Sequence, residues 1–507
     1  MEAADGTPKV PLSVRTRING GSAAVDGDVV VGEPVSPSAR LVEDLYIVVL
    51  VGLATPVNLS AMRAGIGAWA ACYPRFHSIQ ATDKKGILRW LQTTASMDYH
   101  VTRQTLDAAA VADNPDQALE DYVSYLSTQP MNHSRPLWNF HLLDFPTSEA
   151  ASTVVIRLHH SLGDGMSLLT HVLSYTRSAA DPTRLSAIPP LPKRTGAIYA
   201  RPQRPPASAG ALPFARWVWS FVLLGWHTVV DVTIFLATIL FLKDTRTLFT
   251  VMDHGGSNRK RVVHRSLSLD DVKSIKKAMN CSVNDVLVGV TGAALSRYYY
   301  RKSGDKETTK EIRLRSILPV NLRPTTSLQT CVNMIESGKA NDVTCENKIG
   351  FILLPLHIAM HSDPLDYVRK AKSTCDRKKG SLEVAFTHLA AEVCFKFFGP
   401  KAGAAIFNRM LSHTSTSLSN MVGPIEQVEF CGHPIVFIAP TTYVPQEAIV
   451  VNYQSYVNTV RVVLAVDEAQ FPDCHELLDD FDESLKRIKD AATNLRKHNK
   501  KARSNKQ

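Results

Sequence analysis

The spacing of apolar positions changes along the chain, and the changes predict where strands give way to helices. Apolar runs with β-branched residues predict strands at Tyr46–Gly52, Phe140–Leu143 and Thr153–His159. Helical spacing predicts helices at Val57–Cys72, opened by Asn58 or Ser60, at Asn114–Thr128, and at Met166–Thr176. In the second half the same reading predicts helices near Leu269–Met279, Asn284–Arg301, Pro364–Lys379 and Cys474–Asn494. Strands are predicted near Ile312–Leu318, Phe351–Leu356, Pro434–Ile438, Ala448–Tyr453 and Thr459–Val466. Helix and strand alternate in both halves, so the fold class is α/β or α+β. No internal repeat is visible.

Between these halves the pattern breaks. From Ser178 to Pro213 the chain is rich in proline, which predicts an extended linker over about 181–216. The most hydrophobic window follows at 217–242. A basic stretch, Arg259–Arg265, then leads into an orderly second lobe over 256–491. The first lobe is expected at 35–180, starting from Pro34-Val35-Ser36-Pro37. Residues 1–34 carry no steady period and read as disordered, and 492–507 as a solvated basic tail.

Composition narrows the functional classes. The 507 residues are 45% hydrophobic and 21% charged, with a formal net charge of +10. That excess suits anionic lipid or a phosphate-bearing co-substrate. No zinc-finger spacing, RNA-binding aromatic signature or dinucleotide-binding glycine pattern accompanies it, which sets nucleic acid aside. The eight cysteines form no close pair, and the first thirty residues hold no apolar run of a secretory signal. Both facts predict a globular part that folds in a reducing compartment facing the cytosol.

The residues that carry chemistry lie at the end of the Thr153–His159 strand: Leu158-His159-His160-Ser161-Leu162-Gly163-Asp164-Gly165-Met166. Strand alternation puts His160 on the face of Val154, Ile156 and Leu158, and His159 on that of Arg157. Gly163 and Gly165 predict a tight turn with room for a substrate, and Asp164 is placed to brace the loop or the imidazole. A histidine beside a carboxylate suits a general base of near-neutral pKa. Two satisfied core histidines are the competing reading of the pair alone. The His160-to-Asp164 spacing is not that of a helical metal-ligand pair, and no Gly-x-Ser-x-Gly nucleophile motif is present.

His159 to Gly165 resembles the His-His-x-x-x-Asp-Gly motif of the superfamily that holds chloramphenicol acetyltransferases and peptide-synthetase condensation domains. Pro136-Leu137-Trp138, Val283-Asn284-Asp285-Val286-Leu287 and Ser419-Asn420-Met421-Val422-Gly423-Pro424 narrow the resemblance. In this order and spacing they are similar to signatures of the plant wax ester synthase/diacylglycerol acyltransferase family, over about Val35 to Ala491. That resemblance implies two similar chloramphenicol-acetyltransferase-like lobes, each a mixed sheet with flanking helices, over a central tunnel. It implies an acyl-CoA co-substrate, no bound cofactor, and a long-chain alcohol or diacylglycerol as acceptor. It makes His160 the proton acceptor, His159 a supporting neighbour, and Asp164 a structural residue that shapes the loop through an arginine. Gly163, Gly165, Asn284, Asp285, Ser419, Asn420 and Gly423 become candidate substrate contacts. For Asn284 and Asp285 a helix start capped with Ser282 is the rival reading. Asn420 to Pro424 reads as a turn after a strand. Two departures matter: the Asp-Phe-Gly-Trp-Gly motif of soluble plant acyltransferases is absent, which disfavours small phenolic acceptors, and Glu346 precedes Asn347 where the family has Gly-Asn.

The window at 217–242 is 26 residues long with Asp231 its single formal charge, long enough to cross a bilayer core of about 30 Å. Yet Ser220, His227, Asp231 and Thr238 fall on one helical stripe, which should face protein. A single crossing between two lobes that share one site would also separate them. The favoured expectation is a helix or helical hairpin in one leaflet, with Trp217, Trp219 and Trp226 at the interface. A true span and a packed crossover helix are the alternatives. Val393–Met410 is a second apolar stretch, expected to be packed core rather than membrane-facing. The expected setting is the endoplasmic reticulum membrane with the lobes facing the cytosol, or else the plasma membrane. Rival functions are acylation of another hydrophobic alcohol, and a lipid-binding or scaffold protein that keeps the fold without turnover.

Overall fold

The computed structural model describes residues 32–42, 45–187, 196–199, 203–206, 208, 210–252, 259–304, 312–322, 332, 333, 337 and 349–504. The expected disorder of 1–31, much of the proline-rich linker, the Asn347 region and residues 505–507 lie outside them. In chain order the first half holds α1 (Pro37–Leu41), β1 (Tyr46–Leu53), α2 (Leu59–Ala71), β2 (Ser78–Thr82), β3 (Leu88–Gln92), α3 (Met97–His100), β4 (Val101–Arg103), α4 (Ala108–Asp113), α5 (Pro115–Leu126), β5 (Trp138–Leu143), β6 (Ser152–His159), α6 (Gly165–Tyr175), β7 (Arg177–Ser178) and β8 (Asp181–Leu185). After α7 (Ala211–Leu240) come β9 (Lys260–Ser268), α8 (Leu269–Met279), α9 (Val283–Ser303), β10 (Ile312–Asn321), β11 (Ile349–Ile358), α10 (Leu365–Lys379), α11 (Glu383–Ser412), β12 (Thr416–Val422), β13 (Val428–Phe430), β14 (His433–Tyr443), β15 (Ile449–Tyr456), β16 (Thr459–Asp467) and α12 (Cys474–Ser504).

Local chemistry sets the helix starts. Asn58 caps α2 through the Ala61 amide, and Asn114 caps α5 with Pro115 behind it. Ser282 and Asp285 form a reciprocal capping box on α9, as the sequence predicts. The strands build two large sheets. One has eight strands in the order β4-β5-β6-β1-β14-β13-β7-β8, the other six in the order β11-β10-β12-β15-β16-β9.

The two lobes are interlocked rather than contiguous in sequence. Strands β13 and β14 come from the second half but sit in the first sheet, where β1 pairs antiparallel with β14 from Tyr46–Tyr443 onward. The expected boundary at 256–491 therefore encloses strands of the first sheet. Part of the expected linker is strand too: β8 pairs with β7, and β7 with β13. The basic stretch is strand β9, whose Arg261 bonds Asp121 (2.7 Å) and Glu468 while Arg265 bonds Asp479. Its charges tie elements together, which hides the strand in the sequence. Each lobe has its own core, around Trp69, Phe76 and Trp138 in one and Val290, Tyr453 and Phe481 in the other. A third core, with Val48, Val155, Phe437, Val463 and Leu411, draws on both sheets.

The hydrophobic window forms one unbroken helix, so the hairpin alternative falls. Only Asp231, Phe235 and Thr238 of α7 are buried, on the stripe the sequence marks. Asp231 meets Lys378 (2.9 Å) and Arg377 (2.8 Å), and Thr238 meets Arg315. The packed-core expectation for Val393–Met410 holds for Phe395, Phe407 and Met410, which are buried, but not for Phe397 and Phe398, which are 70% and 73% exposed.

Candidate functional site

Strand β6 is buried along its whole length and ends at His159, so the expected alternation does not carry through to His160. His160 instead opens a short 3₁₀ turn, His160–Leu162. Its amide donates to the Leu45 carbonyl (3.0 Å), while the His159 amide donates to Leu137 (3.0 Å). The two histidines part at this point. His159 is fully buried, its Nδ1 held by Ser161 Oγ at 2.6 Å and its ring edge-on to Tyr46. It shapes the turn from within the core.

His160 lines a cavity of about 250 Å³ together with Asp164, Gly165 and Met166. Burial drives the His160 pKa below its ordinary value, and contact with its own backbone and the Asp164 charge oppose that shift. The imidazole is therefore neutral at pH 7. Asp164 is buried at the N-cap of α6, and its Oδ1 accepts from the Ser167 amide (2.8 Å) and hydroxyl (2.9 Å). These bonds fix the loop. The glycines act differently from expectation. Gly163 has extended backbone (φ 169°, ψ 168°) and does not line the cavity, and Gly165 is an ordinary first helical residue. Gly165 does keep space: a Cβ there would stand 3.1 Å from Met421 Sδ.

The opposite wall comes from the second sheet. Ser419 and Asn420 lie inside β12, not in a turn, and both line the cavity. Ser419 Oγ donates to Asn452 Oδ1 (2.6 Å), and Asn452 Nδ2 donates to Thr441 Oγ1 (2.8 Å). This polar chain runs from β12 through β15 to β14 and so joins the two sheets. Asn420 Nδ2 donates to Asn284 Oδ1 (2.6 Å), but neither Asn284 nor Asp285 lines the cavity. Asp285 serves the cap. Gly423 is also outside the lining; a Cβ there would stand 2.4 Å from Gln454 Nε2 and from the Ser455 carbonyl. Its role is close strand packing.

Sequence reasoning missed Ser417, Thr441 and Asn452 on this wall, and Phe351, Phe407 and Leu411 on its apolar side. Period 2 through Ser417 and Ser419 was the available signal for the first. Ser417 Oγ donates to Glu447 Oε1 (2.7 Å), and burial pushes the Glu447 carboxyl up to about 8. Among the described residues that line the cavity there is no lysine or arginine. Among the described residues no group of three metal-ligating side chains converges.

Two family models match the chain: the wax ester synthase/diacylglycerol acyltransferase catalytic domain over residues 56–287, and the WS/DGAT C-terminal domain over 345–489. Wax ester synthase/diacylglycerol acyltransferase 5 of Arabidopsis thaliana is 39% identical, covering 90% of this chain and 93% of that one. Wax ester synthase/diacylglycerol acyltransferase 4 of the same plant is 38% identical over 91% and 90%. Among solved structures, the wax ester synthase/diacylglycerol acyltransferase from Marinobacter aquaeolei VT8 aligns with a TM-score of 0.57 at 17% identity, over 91% of this chain and all of that one. The first condensation domain of the calcium-dependent antibiotic synthetase aligns with a TM-score of 0.53 at 12% identity, over 92% and 97%. Both likenesses show the two-lobed fold. With relatives this similar along nine-tenths of its length, the chain belongs to the wax ester synthase/diacylglycerol acyltransferase family.

Proposed function

We propose that this acyltransferase moves a fatty acyl group from acyl-CoA to a long-chain alcohol, and also to diacylglycerol, with His160 as general base. The observation that carries the reading is the His160 imidazole lining a cavity built by both lobes, with Asp164 beside it and the polar groups of β12 and β15 on the wall from the second sheet. The imidazole contacts its own backbone. The scheme assigns the proton to Nδ1 and the free lone pair to Nε2.

In this scheme Nε2 takes the hydroxyl proton as the alcohol oxygen attacks the thioester carbonyl carbon. The tetrahedral intermediate collapses, the C–S bond breaks, and the departing thiolate takes the proton back from the imidazolium. The products are an ester and free coenzyme A, with no acyl-enzyme and no bound cofactor. Asp164 supports the step by holding the loop and by its charge. Ser419, Asn420 and Asn452 are the polar groups opposite His160 that position the reacting ends. The coenzyme A phosphates stay outside the cavity, where the chain's basic excess favours them. An acceptor of this kind dissolves in lipid, and the exposed apolar face of α7 supports association with a membrane, proposed to be the cytosolic face of the endoplasmic reticulum.

The test uses membranes from a host without neutral-lipid synthesis, fed palmitoyl-CoA with hexadecanol or diacylglycerol. Wild type should form wax ester, and His160→Ala at matched expression should not. The ratio of the two products assigns the acceptor. Equal product from both proteins removes His160 from the mechanism. No product from either, across sterol and terpenoid alcohols as well, leaves a lipid-binding protein.

A further inference from the structure

Helix α11 is bent in a way that gives it two unlike surfaces. Gly399 leaves the helical region (φ 79°, ψ 173°) and Pro400 follows. Gly403 lies so close to Phe395 that a Cβ would stand 2.8 Å from the ring. Eight residues of straight helix span about 12 Å, so this contact requires the chain to fold back. The apex of the bend carries Phe397 and Phe398, the most exposed phenylalanines of the helix. Beyond the bend, Phe407 and Leu411 line the catalytic cavity. One helix thus offers apolar rings to the outside and walls the site within.

Helix α7 adjoins it. Arg409 donates from Nε to the Ile239 carbonyl (2.7 Å) and from Nη2 to Leu240 (2.9 Å), and Phe235 meets Phe386 edge-on. Opposite its buried stripe, α7 exposes Val218, Trp219, Val222, Trp226, Val229 and Leu236, where a soluble helix carries polar residues. A patch of this kind marks an interaction surface. Its charges favour an anionic one: Arg216, Lys396, Lys401 and Arg409 of these two helices and Lys243 just after α7 are exposed, whereas Glu392 is the helices' one exposed acid. Both ends of the connection rejoin the same body, through β8 before α7 and β9 after it.

We propose that α7 and the bent α11 form a platform that inserts into one leaflet of an anionic lipid bilayer, and that acceptor dissolved in that leaflet enters the cavity past α11. The second clause rests on the acyltransferase reading above; the first does not. The aromatic rings of Trp219, Trp226, Phe397 and Phe398 enter the headgroup and acyl boundary, and the flanking cations meet lipid phosphates.

The test is sedimentation of the purified full chain with phosphatidylcholine vesicles, with and without phosphatidylserine. Wild type should bind more tightly when phosphatidylserine is present. Phe397→Asp/Phe398→Asp and, separately, Trp219→Asp/Trp226→Asp should each weaken binding at least about tenfold with unchanged melting temperature. Turnover of hexadecanol held in vesicles should fall with binding in the Phe397/Phe398 variant, while turnover of a water-soluble short-chain alcohol stays at the wild-type level. Wild-type vesicle binding by the Phe397/Phe398 variant would assign the membrane to α7 alone and overturn the platform. Equal loss with both acceptors would overturn the entry route. If wild type turns over neither acceptor, the acyltransferase reading fails, and vesicle binding still decides the platform.

Discussion

The Lys378 ammonium lies between two buried carboxylates, 2.9 Å from Asp231 and 2.7 Å from Glu383. Asp231 belongs to α7, so this contact seats that helix on the rest of the protein. A buried charge that loses its partner is strongly destabilising, by about 3–5 kcal/mol, whereas replacing a pair with apolar groups is often neutral. Lys378→Met should lower unfolding free energy, by less than that full amount because Arg377 still holds Asp231 at 2.8 Å. Asp231→Leu added to it should recover a large part of the loss. Chemical denaturation of the two variants checks this, and a double variant no more stable than Lys378→Met would refute it.

Glu447 gives a dependence on pH. Burial, opposed by the Ser417 hydroxyl and Lys260, raises its carboxyl from about 4.5 to about 8. The folded protein therefore holds a proton that the unfolded chain releases near 4.5. Its contribution is complete below pH 4.5 and is lost as pH rises through 8, at up to about 1.4 kcal/mol per pH unit. Glu447→Gln should flatten the decline of stability between pH 5 and 8. Melting curves across that range, with slopes equal in both proteins, would exclude the carboxyl as the cause.

Gly423 and Gly165 separate packing from substrate contact. At Gly423 a methyl would strike the Ser455 backbone at 2.4 Å, an atom that cannot move aside. Gly423→Ala should cost about 1–3 kcal/mol of stability. At Gly165 the obstacle is the flexible end of Met421 at 3.1 Å, so Gly165→Ala should fold nearly as wild type. The added methyl then takes cavity space, and a raised KM for the longest acyl chains is the expected mark. Thermal melts and a chain-length series test the pair.

Most long elements were legible because their periodicity is local: α8 spans Leu269–Met279 as predicted, and β6 differs from expectation by one residue. Strand β9 was hidden because its Arg261 and Arg265 pair with Asp121, Glu468 and Asp479, far away in sequence. The exchange of β14 into the first sheet was illegible for a stronger reason. Its pairing of Tyr46 with Tyr443 depends on nothing within either strand. The site divides the same way. His160, Asp164, Ser419 and Asn420 carried motifs, while Asn452 and Thr441 enter through sheet register and packing. Motif residues such as Asp285 and Gly423 turned out to hold the frame around the cavity rather than line it.

Asp164 and His160 can be separated by pH. The base must be neutral to accept a proton, so kcat/KM should rise with pH and level off once His160 has lost its own. Since burial lowers its pKa, the midpoint should fall below the ordinary 6.5. The Asp164 charge acts the other way and raises it. Asp164→Asn keeps an N-cap acceptor for Ser167 but removes that charge. The acid limb should therefore move to still lower pH, while the plateau falls only modestly. Asp164→Ala also loses the cap, which is worth about 0.5–2 kcal/mol, and should melt earlier than Asp164→Asn. His160→Ala should lower the plateau by about 10²–10⁴-fold and erase the limb altogether. An Asp164→Asn profile that keeps the wild-type midpoint would confine Asp164 to its cap.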